Sequence, residues 1–250
     1  MIIVSLKDMF EKYYLFYLLA FVAEIIGTVS GFGSSILFVP IASIFFDFKV
    51  VLGITALFHV FSNLSKIFLF RKGIEKNVAF RLGIPAVIFV IIGAFLSNFV
   101  PQVELELIMS FILILLSIYL IFYSDKTIET SNKNLYTGGI ISGFLAGLIG
   151  TGGAIRGLTL TAFNLEKDIF IATSALIDLG VDSSRTIVYF LNGYMAKEFF
   201  ITIPFLIVIS ITGSWCGKLI LHKVSQQLFR YIVLGVIVLT SIVQVGKYFL

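Results

Sequence analysis

Charged residues are scarce in this chain. Asp, Glu, Lys and Arg together make up 13% of its 250 residues, about half of their usual share in soluble domains. Hydrophobic residues reach 59% and the mean hydropathy is +1.07, so one soluble core of this size could not hide the apolar surface. This composition excludes a soluble globular domain, a disordered chain and a nucleic-acid-binding module. It indicates a polytopic membrane protein.

Cysteine and histidine are also rare. The single cysteine, Cys216, excludes an intramolecular disulfide, and we expect it to be a small packed residue. His59 has no second, well-placed histidine beside it, so we expect no metal and no cofactor. The N-terminus lacks the cleavage pattern of a signal peptide, so residues 13–30 are predicted to form a retained membrane helix.

Apolar runs of about 20 residues, long enough to cross a bilayer, recur along the sequence. Two further segments are longer than one helix needs and contain the glycine-rich interruptions Gly31-Phe-Gly-Ser-Ser35 and Gly150-Thr-Gly-Gly-Ala154. Such runs break helices, so we predict an all-α protein with discontinuous or re-entrant helices. The candidate spans are 50–70, 82–100, 105–123, 169–191, 199–221 and 227–248, and the two interrupted segments are 13–46 and 136–164.

The two interruptions belong to an internal repeat. A shift of 119 residues places Gly31 on Gly150 and Pro85 on Pro204 without a gap. Glycine and proline matches carry information about the backbone, so the shift predicts two copies of one unit with about four membrane segments each. The predicted division is a first repeat over 1–123, a connecting loop over 124–135 and a second repeat over 136–250.

A few charged residues lie inside the apolar runs, where each costs about 2.5–3.5 kcal/mol to insert at the centre. They are Glu24, Lys66, Arg156, Asp178, Asp182 and Arg185. The shift also aligns two polar stripes, each on one helical face: His59, Asn63 and Lys66 match Asp178, Asp182 and Arg185. If the copies pack about a pseudo-twofold axis, the stripes meet at the centre, where transporters built from repeats bind their substrates.

The glycine breaks predict that a small anion binds at this centre. A half-helix that begins after a break directs its N–H groups and positive end inward, and Arg156 adds a fork-shaped cation suited to an oxyanion. The predicted substrate-binding residues are Gly33, Ser34, Ser35, Asn63, Thr151, Gly152, Gly153, Arg156 and Arg185.

Proton coupling is predicted from the remaining ionisable groups. Asp178 and Asp182 are one turn apart and should repel, so one of them is expected to hold a proton at neutral pH. His59 is a candidate to titrate in the physiological range. The predicted proton-coupling residues are His59, Asp178, Asp182 and Glu24, with Lys66 and Arg185 setting the field.

Structural interpretations of these same groups stay open. Buried membrane charges commonly pair with one another, small residues commonly mark helix contacts, and long basic side chains commonly reach the interface. The alternatives are an Asp182–Arg185 ion pair, a bond from Glu24 to a neighbouring helix, a core histidine at His59, a snorkelling Lys66 and a packing site at Gly31–Ser35.

The chain resembles the TauE/SafE family of sulfite exporters, also called TSUP. The resemblance rests on Gly31-Phe-Gly-Ser-Ser-Ile-Leu-Phe-Val-Pro40 and on Gly143-Phe-Leu-Ala-Gly-Leu-Ile-Gly-Thr-Gly-Gly-Ala154. Ser34, Ser35 and Ala154 stand where the family usually has glycine, and Arg156 stands where an aliphatic residue is usual. The resemblance implies about eight spans and transport of sulfite, sulfonates or sulfoacetate.

These observations predict a proton-coupled secondary transporter of a small anion, and no enzyme. The segment after Gly150 lacks the Gly-Lys-Ser/Thr ending of a phosphate-binding loop, so ATP cannot drive transport from this chain. A passive anion channel and, less favoured, a membrane-embedded enzyme are the alternatives. The expected partners are the anion, protons and the lipid bilayer of the inner or plasma membrane, without nucleic acid; a homo-oligomer stays open. The split of basic residues between the two sides of the membrane is the same whether the two interrupted segments cross it or re-enter, so the positive-inside rule does not choose between these topologies.

Overall fold

The computed structural model describes residues 6–123, 130–195, 200, 202–221 and 223. Within these ranges the chain forms α-helices and no β-strand, and the predicted span 227–248 lies outside them. The helices are α1 (Leu6–Ser30), α2 (Ser35–Ala42), α3 (Phe48–Leu69), α4 (Lys76–Leu96), α5 (Gln102–Tyr123), α6 (Asn132–Ile149), α7 (Gly153–Thr161), α8 (Lys167–Leu191) and α9 (Ile203–Leu221).

Four of the described helices are long and apolar enough to cross a membrane. They are α1 from Tyr13 to Ser30, α3, α4 and α9. Large apolar side chains such as Ile84, Ile88 and Phe95 on α4 point out of the molecule and are exposed. Exposed apolar faces of this kind suit a lipid environment.

The predicted span 82–100 differs from the helix that forms there. Helix α4 begins six residues earlier than predicted, at Lys76, and ends at Leu96. Its first turns carry polar residues, among them Asn77 and Arg81, and a hydropathy window skips such residues although they are compatible with a helix. Hydropathy therefore located the apolar part of α4 and missed its polar start.

Glycines in the left-handed region separate two pairs of helices. Helix α1 ends at Ser30, and Gly31 and Gly33 follow with φ of 70° and 83°. Helix α6 ends at Ile149, and Gly150 follows with φ of 82°. Such conformations end helices and favour glycine, so the chain turns at both places before α2 and α7 begin.

A stripe of glycines brings α6 directly against the backbone of α4. A β-carbon on Gly139, Gly143 or Gly147 would overlap a carbonyl oxygen of α4. These oxygens belong to Leu82, Ala86 and Val90. Small residues at such spacing let two helices approach closely in a membrane, and this contact fixes α6 beside α4.

The other principal contacts place the polar stripes at the centre. Helix α1 packs against α9, while α3 packs against both α8 and α9, and α8 also packs against α4. The contact of α3 with α8 brings the polar face of one helix onto that of the other, where Asn63 hydrogen-bonds to Asp182.

Candidate functional site

Two glycine-containing turns meet inside the molecule: the first break, residues 31–34 between α1 and α2, and the second break, residues 150–152 between α6 and α7. The Ser35 hydroxyl oxygen lies 3.4 Å from that of Thr151, and both residues are buried. On the other side, a β-carbon on Gly153 would overlap the carbonyl oxygen of Phe32, and one on Gly152 would overlap that of Ser142. The starts of α2 and α7 therefore lie side by side. Glycine is required at 153, where α7 meets the first break, and at 152, where the second break meets α6.

Arg156 of α7 reaches the first break. Its Nη1 forms an ion pair with Oδ1 of Asp178 on α8, and its Nε donates to the Ser174 hydroxyl at 3.2 Å. Ser174 in turn donates to the carbonyl oxygen of Gly31 at 3.4 Å. A β-carbon on Gly33 would lie 3.6 Å from Nη2 of Arg156 and 3.9 Å from Oδ2 of Asp178. The guanidinium, the carboxylate and the first break thus share one place.

Asn63 of α3 and Asp182 of α8 join the two polar stripes. The Asn63 amide donates to Oδ2 of Asp182 at 2.7 Å, and the other carboxylate oxygen accepts from Nε of Arg185 at 2.7 Å. Nη1 of Arg185 donates to the carbonyl oxygens of Ala146 and Gly150 at 3.0 and 2.8 Å. Arg185 therefore pairs with Asp182 and also closes the C-terminal end of α6.

Glu24 of α1 is fully buried and accepts several hydrogen bonds. Oε1 accepts from the hydroxyls of Ser62 at 2.6 Å, Ser214 at 2.8 Å and Thr28 at 3.2 Å. The Lys66 ammonium lies 2.9 Å from the same oxygen. Helices α3 and α9 are thereby bound to α1 through one carboxylate, and Lys66 is buried instead of reaching an interface.

Two hydrogen bonds orient His59. Its Nδ1 lies 2.6 Å from the carbonyl oxygen of Thr55, and its Nε2 lies 2.7 Å from the Ser34 hydroxyl. Ser34 also lies 2.6 Å from Oε2 of Glu24. The hydroxyl at the first break thus connects the acid of α1 to the imidazole of α3.

The structure divides the predicted site residues into four neighbouring groups. Around the second break lie Ser35, Thr151, Gly152 and Gly153; Gly33, Arg156 and Asp178 lie at the first; Asn63, Asp182 and Arg185 join α3 to α8. Ser34 lies with Glu24 and His59, although the sequence grouped it with the anion-binding residues.

Sequence reasoning missed the hydroxyls that complete these groups. Ser62, Thr28, Ser174 and Ser214 all hydrogen-bond to the charged residues or to the break. Ser62 lies between His59 and Lys66 on the same helical face, so its spacing could have identified it as part of the polar stripe. Ser174 follows Thr173 and Ser214 lies close to Thr212, and the sequence offers no pattern that distinguishes the two serines from these neighbouring hydroxyls.

An apolar cavity lies apart from these groups. Its lining includes Gly53, Phe58, Phe61 and Leu206 from α3 and α9, and none of its lining residues is charged. This cavity is therefore no candidate for the predicted anion. Among the described residues, no group of three or more His, Cys, Asp or Glu side chains is placed to hold a metal ion.

Together these features define a helical membrane protein whose interior contains paired charges and two glycine turns between successive helices. The sulfite exporter TauE/SafE family matches residues 16–243, so the chain belongs to that family of membrane transporters. A probable membrane transporter protein of Methanocaldococcus jannaschii is 28% identical over 234 residues, which cover 84% of this chain and 85% of the relative. No solved structure matches the chain.

Proposed function

We propose that the protein is a proton-coupled secondary transporter, not an enzyme, and that it carries a small anion across the cell membrane as a multi-pass protein. The observation that carries the proposal is the Arg156–Asp178 ion pair beside the first chain break. The family name, sulfite exporter, supports a sulfur oxyanion or an organosulfonate as the cargo.

An internal repeat with interrupted helices is part of this proposal. Three observations support it, beginning with the ends of α1 and α6, Ser30 and Ile149, which are as far apart in sequence as Asn63 and Asp182. The starts of α3 and α8 have the same offset. Helix α1 packs against α9 just as α6 packs against α4, and α3 packs against its counterpart α8. This exchange of partners is what a pseudo-twofold axis between two copies produces.

The anion is proposed to bind where the breaks meet. The first amides of α2 and α7 have no carbonyl partner within their own helices, and short half-helices with free amides favour negative charge. Ser35 and Thr151 add two hydroxyls. Arg156 adds a planar cation that can form two parallel bonds to an oxyanion. Arg185 is already bound to Asp182 and two carbonyl oxygens, so we assign it to holding α6 in place.

Coupling to protons follows from the charge balance. The six central ionisable groups form three ion pairs, Glu24–Lys66, Arg156–Asp178 and Arg185–Asp182. An anion entering alone would bring an uncompensated charge into a buried site, which is costly. A proton that neutralises Asp178 removes this cost and releases Arg156 for the anion. Asp178 suits this role because its side chain is 13% exposed, more than those of Asp182 and Glu24.

The test is sulfite flux through purified protein in liposomes. Arg156→Ala should abolish flux while the protein stays monodisperse in detergent, because the anion loses its cation. Arg71→Ala is the matched control, since Arg71 is exposed outside the central cluster, and it should transport like the wild type. Unchanged flux in Arg156→Ala would contradict the proposed site. Wild-type anion flux without accompanying proton movement would instead identify a passive channel.

A further inference from the structure

The Ser34 hydroxyl lies between an acid and a base that are both buried. Its oxygen is 2.6 Å from Oε2 of Glu24 and 2.7 Å from Nε2 of His59. Glu24 and Ser34 have no exposed surface, and His59 is 4% exposed. Both contacts are as short as good hydrogen bonds, so each of them requires a proton between its two heavy atoms.

The number of protons in this triad follows from its partners. A carbonyl oxygen only accepts, so the contact of His59 Nδ1 with the oxygen of Thr55 at 2.6 Å places a proton on Nδ1. A neutral His59 then has Nε2 as an acceptor. Ionised Glu24 is also an acceptor, while Ser34 has only one proton to donate. With a neutral imidazole and an ionised carboxylate, one of the two short contacts lacks its proton.

One additional proton satisfies both contacts, and it does so from either of two positions. In one form, Oε2 of Glu24 carries it and donates to the Ser34 oxygen, while the Ser34 proton points to Nε2. In the other form, Nε2 of His59 carries it and donates to Ser34, which donates to the carboxylate. Moving one proton from Oε2 to Ser34 and another from Ser34 to Nε2 converts the first form into the second.

We infer that Glu24, Ser34 and His59 bind a single proton as one unit, and that Ser34 passes it between the carboxylate and the imidazole. This assigns Ser34 to the proton, not to the anion. The inference deepens the proposed function, since its role in transport rests on proton coupling. The binding of the proton itself rests only on the geometry of the triad.

The other hydrogen-bond partners of Glu24 leave its Oε2 oxygen available for proton exchange with Ser34. Ser62, Ser214 and Thr28 all donate to the other oxygen, Oε1, which also faces the Lys66 ammonium. The charged groups that face His59, besides Glu24, are Lys66 from α3 and the paired Asp182 and Arg185 from α8.

Without the extra proton, the charges of these neighbouring groups cancel. Lys66 balances an ionised Glu24, and Arg185 balances Asp182. Loading the triad therefore gives the centre one net positive charge. A monovalent anion restores neutrality, so proton uptake at the triad favours binding of one such anion.

A titration without transport tests the proton count. The chain holds two histidines, so a His222→Asn background leaves His59 as the single histidine signal in nitrogen-15 NMR of the purified protein. Infrared spectra follow the buried carboxyl of Glu24 in the same samples. We expect the pair to gain one proton in a single step as the pH is lowered. Two separate steps, one for each group, would overturn the inference.

Glu24→Gln sharpens this experiment. The glutamine amide can donate to Ser34, which can then donate to Nε2, so every contact is satisfied without the extra proton. We expect His59 to stay neutral in this variant between about pH 5 and pH 8, the range in which histidine ordinarily titrates. A His59 that titrates as in the parent would overturn the inference. Ser34→Ala, which leaves the Glu24–Lys66 pair intact, provides the second variant if Glu24→Gln does not fold.

Transport measurements test the relay, with two neighbouring serines as a matched pair. Ser34→Ala should lose protons carried per sulfite, because the acid and the base no longer communicate. Ser35→Ala should keep the wild-type ratio and raise the KM for sulfite, since Ser35 faces Thr151 and no acid or base. An unchanged ratio in Ser34→Ala would overturn the relay. If Arg156→Ala still transports sulfite, the proposed anion site is wrong. The titration then tests proton binding by the triad independently.

Discussion

Lys66, Arg156 and Arg185 are buried basic side chains, and each forms an ion pair with an acid. Moving a charge out of water costs several kcal/mol for each ion, and a buried pair commonly adds little net stability. Three such pairs around two chain breaks therefore indicate a function beyond stability. The Arg156–Asp178 pair lies beside Gly33 of the first break, whereas Arg185 is already bound to carbonyl oxygens of α6 and the second break, so we propose that an incoming anion meets the Arg156–Asp178 pair.

Replacing Asp178 by asparagine should weaken the dependence of transport on pH. In the proposed mechanism, a proton on Asp178 frees Arg156, so we expect sulfite flux in liposomes to rise as the pH falls. Asp178→Asn leaves Arg156 without a carboxylate at every pH, so its flux should vary less with pH than that of the wild type, and the remaining dependence should come from the triad of Glu24, Ser34 and His59. Asp168→Asn is the control, because Asp168 pairs with the exposed Lys72 outside the central cluster. A pH dependence in Asp178→Asn as steep as that of the wild type would contradict this mechanism.

The sequence could predict which residues of the site are polar, but only some of their partners. The spacing of Asp178 and Asp182 predicts one helical face and mutual repulsion, and an Asp182–Arg185 pair is one of the alternatives that the sequence offers. In the structure, Asp182 does pair with Arg185 of the same helix, and Asp178 pairs with Arg156 from α7. The Arg156–Asp178 pair depends on how α7 lies against α8, and nothing in local spacing specifies that contact.

Helix α6 depends on glycine for its position, and this can be tested at the level of the element. A β-carbon on Gly143 would overlap the Ala86 carbonyl oxygen, so Gly143→Ala should force α6 away from α4. Overpacking of this kind costs about 1–3 kcal/mol, which should lower the melting temperature of the protein in detergent.

Gly83→Ala on α4 is the matched control for Gly143→Ala. Its β-carbon would lie 3.5 Å from Cγ1 of Ile177, an ordinary contact. Alanine is the better helix former by about 1 kcal/mol, so this variant should melt at or above the wild-type temperature. Equal melting temperatures for the two variants would contradict the packing role of Gly143.

Helix positions could be predicted better than helix contacts. Long apolar runs indicated α3, α5, α8 and α9 to within a few residues, because hydropathy reports directly on burial in lipid or protein. The polar first turns of α4 lay outside that signal. Which helices pair was not predictable, since the glycine stripe of α6 fits any helix with small residues on its surface.

At the scale of the whole molecule, the described helices of the two predicted repeats are interleaved. Helix α1 packs against α9 and α6 packs against α4, so each half supplies a helix that the other half covers. We therefore expect that neither 1–128 nor 129–250 forms a monodisperse protein when expressed alone. Co-expression of the two fragments should restore a complex, measured by affinity capture of one through the other and size-exclusion chromatography. A stable, monodisperse single fragment would contradict this interdependence.

The hydrogen bond between Asn63 and Asp182 bears on how the two proposed repeats evolved. The two positions correspond under the proposed repeat, so in a dimer of two identical ancestral chains they would have carried the same residue across the twofold axis. Two aspartates in contact would repel, and two asparagines would carry no charge to pair with Arg185. An amide opposite a carboxylate becomes available once the gene has been duplicated and the two copies, now in one chain, are free to diverge. The same freedom allowed the proposed proton triad to occupy the first copy and the Arg156–Asp178 pair the second.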